Sequence, residues 1–472
     1  MMKWLNYIAI FCAFNAFSQG EVDYLFEEMP SDSVAKLSIS THTSVKPAIR
    51  QYTKNPEKKS YFQVAGLGDL NFFQQVQSGY KTGLGLELKA NIKDKLYFRL
   101  AGIEGIHQNS HGFQPKSYID DSIGKVSLYS DLRGRISYTP NHIFNFQIGL
   151  DHNFIGEGAR SMLLSDYGTP YPFGQIGMRF WRLEYVIMYQ FLRERDNNRW
   201  EGKFASSHHI SFNATKWLNI GIFETVLFQP KDTLVNRGFE AEYLNPFVFY
   251  RPQEYSVGSS DNVLIGFDLS AKYKKHTLYA QFILDEFSWP DIKARNGWWA
   301  SKYGGQLGVK GRFNKIGHDL FYRVEYNFAR PYTYAHLSEE VNYGNQGRAL
   351  AHPYGSNFHE LLVELKWEHG KWFGKIFANY FLRGKDKDGF NYGNDVYTPY
   401  INRPYEYGHT IGQGQGLNGT KVVLTSGYKL LKHGKLNAFL EHHLGYTTLD
   451  NKLNYSLVVG VRSMLWNDYR NY

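Results

Sequence analysis

The sequence predicts an all-β protein, a transmembrane antiparallel β-barrel of about 18 strands. Three observations carry this. No apolar run of about 20 residues is available for helical crossing of a bilayer. Apolar residues recur at every second position over segments of about 10 residues. The reversals between those segments are unequal, with short and long connections strictly alternating.

Composition agrees. Tyr 36, Phe 34 and Trp 10 make the chain 17% aromatic, with Gly 45 and Pro 15 among 472 residues. Disordered chains are poor in aromatics, whereas Tyr, Phe and Gly interleaved with polar residues suit a large sheet. Lys and Arg exceed Asp and Glu by 53 to 44, a net +9, but they form no basic run that would track a phosphate backbone. Nucleic acid is therefore not an expected partner.

Taken in order, residues 1–18 read as an export signal. Lys3 supplies the positive region, Trp4 to Phe14 the apolar stretch, and Ala16-Phe17-Ser18 a small-x-small cleavage site before Gln19. Cys12, the only cysteine, would leave with it, so the mature chain holds no disulfide or thiolate site. Residues 19–60 read as a periplasmic extension in which Tyr24-Leu25-Phe26 would sit on a short helix.

Residues 61–472 are the barrel. Between Tyr80 and Ile92 the even positions are Tyr, Thr, Leu, Leu, Leu, Ala and Ile, while the odd ones include Lys81, Glu87, Lys89 and Asn91. One face is greasy and the other wet, as a lipid-facing strand requires. The same period runs through Leu320 to Phe328, Leu361 to Trp367 and Tyr455 to Leu465. Tight reversals fall near Asp94, Pro140-Asn141, Arg182, Lys216, Lys274, Asn314-Lys315, His369-Gly370 and His433-Gly434. Long connections cover Ile106 to Lys125, Phe154 to Gly174, Gln229 to Asp261, Ser288 to Tyr303, Ala329 to Phe358 and Gly384 to Gly419. A sandwich gives its two ends no reason to differ; an outer-membrane barrel has short periplasmic turns and long extracellular loops. Trp181, Trp217, Tyr273, Trp367, Trp372 and Trp466 stand near strand ends, where interfacial girdles belong.

The long loops hold the unusual chemistry. Arg251 and Glu254 follow an aromatic stretch, Trp298-Trp299 lie in the next loop, and Arg330, Tyr332, Tyr334, His336 and His352 share a third. Aromatic rings among Arg, amide and carboxylate groups make a sugar-binding surface, since a pyranose offers C–H faces for stacking and hydroxyls for paired hydrogen bonds. Packing of the loops against one another and the wall would use the same residues. Catalytic and metal readings fail on geometry. Asp285-Glu286, His208-His209 and His442-His443 are strand neighbours that point to opposite faces. Gly414 to Gly419 matches a dinucleotide pattern but opens a strand, with no helix N-terminus to face a phosphate. Asp386 to Asn391 resembles a calcium loop but lacks the sixth-position glycine and the twelfth-position acid. No catalytic residue, metal or cofactor is expected.

Gly156-Glu-Gly158-Ala-Arg160-Ser-Met-Leu-Leu-Ser165-Asp166, Pro170, Pro172-Phe173, the Tyr243 to Arg251 stretch, Asp285-Glu-Phe287 and Arg330-Pro-Tyr-Thr-Tyr334 together resemble the Wzi capsule-assembly family, including its RemB-like branch in gliding bacteria. The likeness spans about Gly156 to Gln415. It implies a loop-closed outer-membrane barrel of about 18 strands that acts as a lectin for capsular polysaccharide, or in the gliding branch a surface component of motility.

The expected protein is thus a non-enzymatic outer-membrane binder of capsular or other surface polysaccharide. Its candidate contacts are Arg160, Arg251, Glu254, Trp298, Trp299, Arg330, Tyr332, Tyr334, His336 and His352. The Arg and His groups, with the positive charge balance, point to acidic sugars. Further expected partners are outer-membrane lipid and motility or capsule-export proteins. A porin-like channel is the alternative, because Arg323, Glu325, Glu364 and Lys366 occupy wet-face positions.

Overall fold

The computed structural model describes residues 42, 44–47, 60–75, 78–93, 95–108, 119–123, 126–196, 199–230, 243, 261–431 and 436–463. Eighteen strands close into one antiparallel barrel. In chain order they are β1 (Tyr61–Gln74), β2 (Ser78–Ile92), β3 (Leu96–Gln108), β4 (Val126–Tyr138), β5 (Phe144–Asp151), β6 (Tyr171–Phe180), β7 (Leu183–Asp196), β8 (Arg199–Asn213) and β9 (Leu218–Phe228). The second half is β10 (Asn262–Tyr273), β11 (His276–Leu284), β12 (Tyr303–Lys315), β13 (His318–Ala329), β14 (Phe358–His369), β15 (Trp372–Lys385), β16 (Gln415–Lys429), β17 (Leu436–Thr447) and β18 (Lys452–Ser463). Closure comes from β1 against β18, in register from Asp69↔Arg462 to Gln74↔Leu457.

Every connection at one end is short, from residues 181–182 and 274–275 up to 430–435. The wall also starts and finishes at that end. Asp94 and His433-Gly434, at two of the expected turns, lie outside the described residues, as do the leader 1–18, Tyr24 to Phe26, Leu465 and Trp466. The turn expected at Asn314-Lys315 falls two residues later. Lys315 still pairs with His318, and the reversal uses Ile316 and Gly317, both in the left-handed region at φ 51° and 74°. At the opposite end six connections are long, but 75–77, 197–198 and 448–451 are not. The expected strict alternation is corrected there: a two-stranded hairpin closes with a few residues wherever no loop is needed above it.

The faces are inverted relative to a water-soluble sheet. On β2, Leu84, Leu86 and Ile92 are exposed while Lys81, Glu87 and Asn91 are buried. Leu320, Val324 and Tyr326 on β13, and Leu361, Leu365 and Trp367 on β14, point outward in the same way. Trp181, Trp217, Tyr273 and Trp372 are exposed beside the short turns. The charged inward groups are paired: Arg99 with Glu87 at 3.0 Å, Arg133 with Asp131 at 2.6 Å, Arg323 with Glu364 at 3.0 Å. An unpaired charge in such a site would cost several kcal/mol, about what removing one partner of a buried pair costs.

The apolar core lies inside the barrel, toward the long-loop end. Met162, Leu163 and Leu164 from the β5–β6 connection pack with Tyr334, Tyr343 and Leu350 from the β13–β14 connection and with Leu192, Phe223, Leu264 and Ile283 of the wall. Glu325 of β13 fixes the inner segment by accepting from Ala159 N at 2.8 Å, Arg160 N at 3.1 Å and Tyr279 Oη at 2.8 Å. Gly156 has φ 135°, and a Cβ there would come 2.3 Å from Gln281 Nε2, so only glycine lets the segment lie this close to the wall.

Residues 42 and 44–47, expected in a periplasmic extension, lie inside the barrel. Val45 and Lys46 pair with Ile155 and Phe154, Ser44 Oγ donates to Asp268 Oδ1 at 3.0 Å, and His42 Nδ1 is 2.7 Å from Ser211 Oγ. Backbone pairing with the inner segment is what draws this stretch into the lumen.

Candidate functional site

Three long connections meet at the long-loop end. The β11–β12 connection carries one short helix, α1 (Trp289–Ala294), which ends at Arg295 in the left-handed region. Its continuation runs beside the β15–β16 connection: Trp299 N donates to Glu406 O at 3.0 Å, Gly408 N to Asn296 O at 2.9 Å and His409 N to Gly297 O at 2.8 Å. The β13–β14 connection joins them through Arg330. Its Nε donates to Ser301 O at 2.7 Å, and Nη2 reaches both Trp298 O and His409 O at 3.3 Å. One guanidinium therefore ties its own loop to the carbonyls of two others.

On this frame the rings converge. Trp299 lies 4.5 Å from Tyr400 and 6.1 Å from Trp298, and the Arg403 guanidinium sits 4.3 Å over its ring. Lys302 Nζ is 4.4 Å from the Tyr400 ring, and Tyr405 lies 4.4 Å from His409. Trp298 and Trp299 are half-buried, Tyr405 and Tyr407 exposed. Partly exposed rings held in a fixed cluster are the kind of group on which a flat apolar ligand face can rest.

The two cations that lie over the Trp299 ring are paired with carboxylates. Lys302 lies 3.3 Å from Glu286 and 4.0 Å from Asp285, and Arg403 pairs with Glu406. Burial is the main cause of the shifts nearby. It lowers the His336 imidazole to about 4, with Lys302 adding to the effect, so this ring is neutral at pH 7. It raises the Tyr400 hydroxyl to about 12.

The ten sequence-derived candidates divide. Trp298, Trp299, Arg330 and His336 are half-buried members of the loop cluster. Tyr332 is fully buried beneath it, donating through its hydroxyl to Asn391 O at 2.8 Å. Arg160, Tyr334 and His352 are corrected as surface contacts, because all three lie inside the lumen. Tyr334 donates to Met162 O at 2.8 Å, His352 Nε2 to Glu360 Oε2 at 2.8 Å, and Arg160 is 3.5 Å from Glu360. Tyr332 and Tyr334 hold φ of 64° and 73°, uncommon for ring-bearing residues, and those hydrogen bonds keep them there. Arg251 and Glu254 lie outside the described residues. Sequence reasoning missed Lys302, Tyr400, Arg403, Tyr405 and His409, although Tyr397, Tyr400, Tyr405 and Tyr407 crowd one loop visibly.

The paired histidines on β8 point to opposite faces, as strand alternation requires. His209 faces inward to Asp268 at 2.7 Å while His208 faces outward to Tyr185 at 3.1 Å. Asp386 Oδ1 accepts from Tyr392 N and Asn394 Nδ2, within its own loop.

The fold is shared with Wzi, an outer-membrane carbohydrate-binding β-barrel involved in group 1 capsule assembly in Escherichia coli. The TM-score is 0.56 at 12% identity, over 85% of this chain and 85% of that one. Pseudomonas aeruginosa OpdK, solved with vanillate, gives a TM-score of 0.46 at 10% identity, over 85% and 98% of the two chains. Pseudomonas aeruginosa OprD gives 0.45 at 9%, over 87% and 97%. No family model matches the chain, and no curated relative does. The Wzi likeness establishes the fold, and with the greasy exterior it supports an outer-membrane location.

Proposed function

We propose that this chain is a non-enzymatic outer-membrane protein that binds and anchors surface polysaccharide through its long loops, which face the cell exterior. The observation that carries the reading is the half-open ring cluster of Trp298, Trp299, Tyr400 and Tyr405, laced in place by Arg330. Kinship with the Wzi capsule-assembly family belongs to the proposal and is supported by the shared fold together with the loop motifs. A place in the RemB-like gliding branch, with motility or capsule-export proteins as partners, rests on those motifs alone.

The acidic-sugar expectation is replaced by a neutral one. The nine connections at the long-loop end carry 13 Lys and Arg against 19 Asp and Glu, and the cations beside Trp299 are already paired. Stacking on a neutral pyranose, with hydroxyls bonded to loop carbonyls and amides, fits this surface better than ion pairing.

The channel alternative is weakened because Arg323, Glu325 and Glu364 are buried against one another and the inner segment and do not line open water. A glycan array probed with purified barrel tests the reading. Retention of neutral polysaccharide that falls on Trp299→Ala supports it; retention of none, by a folded barrel, rejects it.

A further inference from the structure

The net charge of +9 is not spread around the molecule. The eight short connections carry Lys93, Lys95, Arg182, Lys216, Lys274, Lys275, Lys371, Lys432 and Lys435 against a single acid, Asp94. Basic residues are therefore concentrated in the short connections, and acidic ones in the long-loop connections.

One arc of the short-turn rim borders a groove on the outer wall. A cavity of about 630 Å³ is lined by Trp217, Ala271, Tyr273, His276, Leu278 and Val309. Trp217, Tyr273 and Leu278 are exposed, and the small side chain of Ala271 leaves a trough between them. Lys272 N donates to Trp217 O at 2.7 Å, which sets the 214–217 and 274–275 turns side by side. Lys274 lines the groove, Lys216 and Lys275 are its chain neighbours on the two adjoining turns, and all three are exposed and make no ion pair among the described residues. The acid nearby, Asp319, is engaged by Arg312.

We propose that this groove is a binding site for an anionic glycerophospholipid of the leaflet at the short-turn end. One acyl chain lies over Ala271 between Trp217, Tyr273 and Leu278, and the phosphate is held by Lys216 and Lys274, with Lys275 beside them. The placement is chemically consistent along its length: apolar wall below, amphipathic rings at headgroup depth, ammonium groups above. Charge complementarity selects the occupant, because an apolar trough capped by three unneutralised lysines matches an acyl chain ending in a negative headgroup and not a zwitterionic one.

The test is native mass spectrometry of the full chain from detergent containing equal amounts of dioleoyl phosphatidylglycerol and dioleoyl phosphatidylcholine. Wild type is expected to retain the anionic lipid at least about fivefold over the zwitterionic one. Lys216→Gln/Lys274→Gln/Lys275→Gln should bring the ratio close to one. Ala271→Leu, with the lysines intact, should reduce retention of both lipids by filling the trough. Heat-modifiable gel mobility checks that each variant is folded. Equal retention by wild type, or a ratio that survives the triple substitution, overturns the site. So does binding of a soluble acidic polymer at these lysines with phosphatidylglycerol unretained, since the rim would then serve an acidic macromolecule.

Discussion

Arg160 and Glu360 face each other at 3.5 Å inside the barrel, one from the inner segment and one from the wall, and both are fully buried. His352, Asn379 and Asn327 donate to the carboxylate at 2.8, 2.7 and 3.2 Å. Here, as at Lys310 and Glu157, a loop is fastened to the barrel by charge. Arg160→Met leaves a buried carboxylate without its main counter-charge and should cost about 3–5 kcal/mol, read as a lower urea midpoint for unfolding from lipid vesicles. Arg160→Met/Glu360→Gln should recover much of the loss; a single substitution without effect would mean the pair does not hold the segment.

The inner segment also predicts electrical behaviour. A barrel of about 18 strands encloses room for an aqueous channel unless something occupies it. Wild-type protein in a planar bilayer should be nearly silent, and replacing residues 157–165 with a Gly-Ser linker should open steady conductance. Large steady conductance from wild type would favour the channel reading.

At the loop cluster, two substitutions should act differently. Trp299→Ala removes a stacking face, worth about 0.5–1.5 kcal/mol beyond burial, and should weaken glycan affinity several-fold with the loops in place. Arg330→Ala removes three carbonyl contacts at once and should loosen the loops themselves. Limited proteolysis separates them: cleavage within 296–301 or 405–410 should accelerate only in Arg330→Ala.

His336 gives the cluster a pH dependence whose sign is fixed. Burial depresses its folded pKa to about 4, against about 6.5 for the free side chain, so the unfolded or opened loop binds more protons between these values. Its contribution is present above pH 6.5 and is lost as pH falls toward 4. His409 is shifted the same way, chiefly by burial, and adds to the trend. Trp fluorescence of the loop end should report loosening over this window, and His336→Gln should reduce the pH dependence.

Strand positions were legible because the two-residue period is local. Leu84 and Leu86 declare an outer face within one segment, and Lys81 and Glu87 declare the inner one. Asn197-Asn198 carried a readable turn signal at the long-loop end that the expected alternation passed over. Loop residues carry no such period, which is why Arg160 and His352 looked like the same kind of residue as Arg330 and His336.

What the sequence determined by itself was the closed wall, its greasy exterior and the inequality of its two ends, since each follows from side-chain alternation or from the number of residues between strands. Only the tertiary structure decided which loop residues turn inward and which stay at the surface. Those outcomes depend on partners far apart in the chain, Tyr334 with Met162 and Arg160 with Glu360, and on the distribution of charge between ends that the folded topology alone assigns.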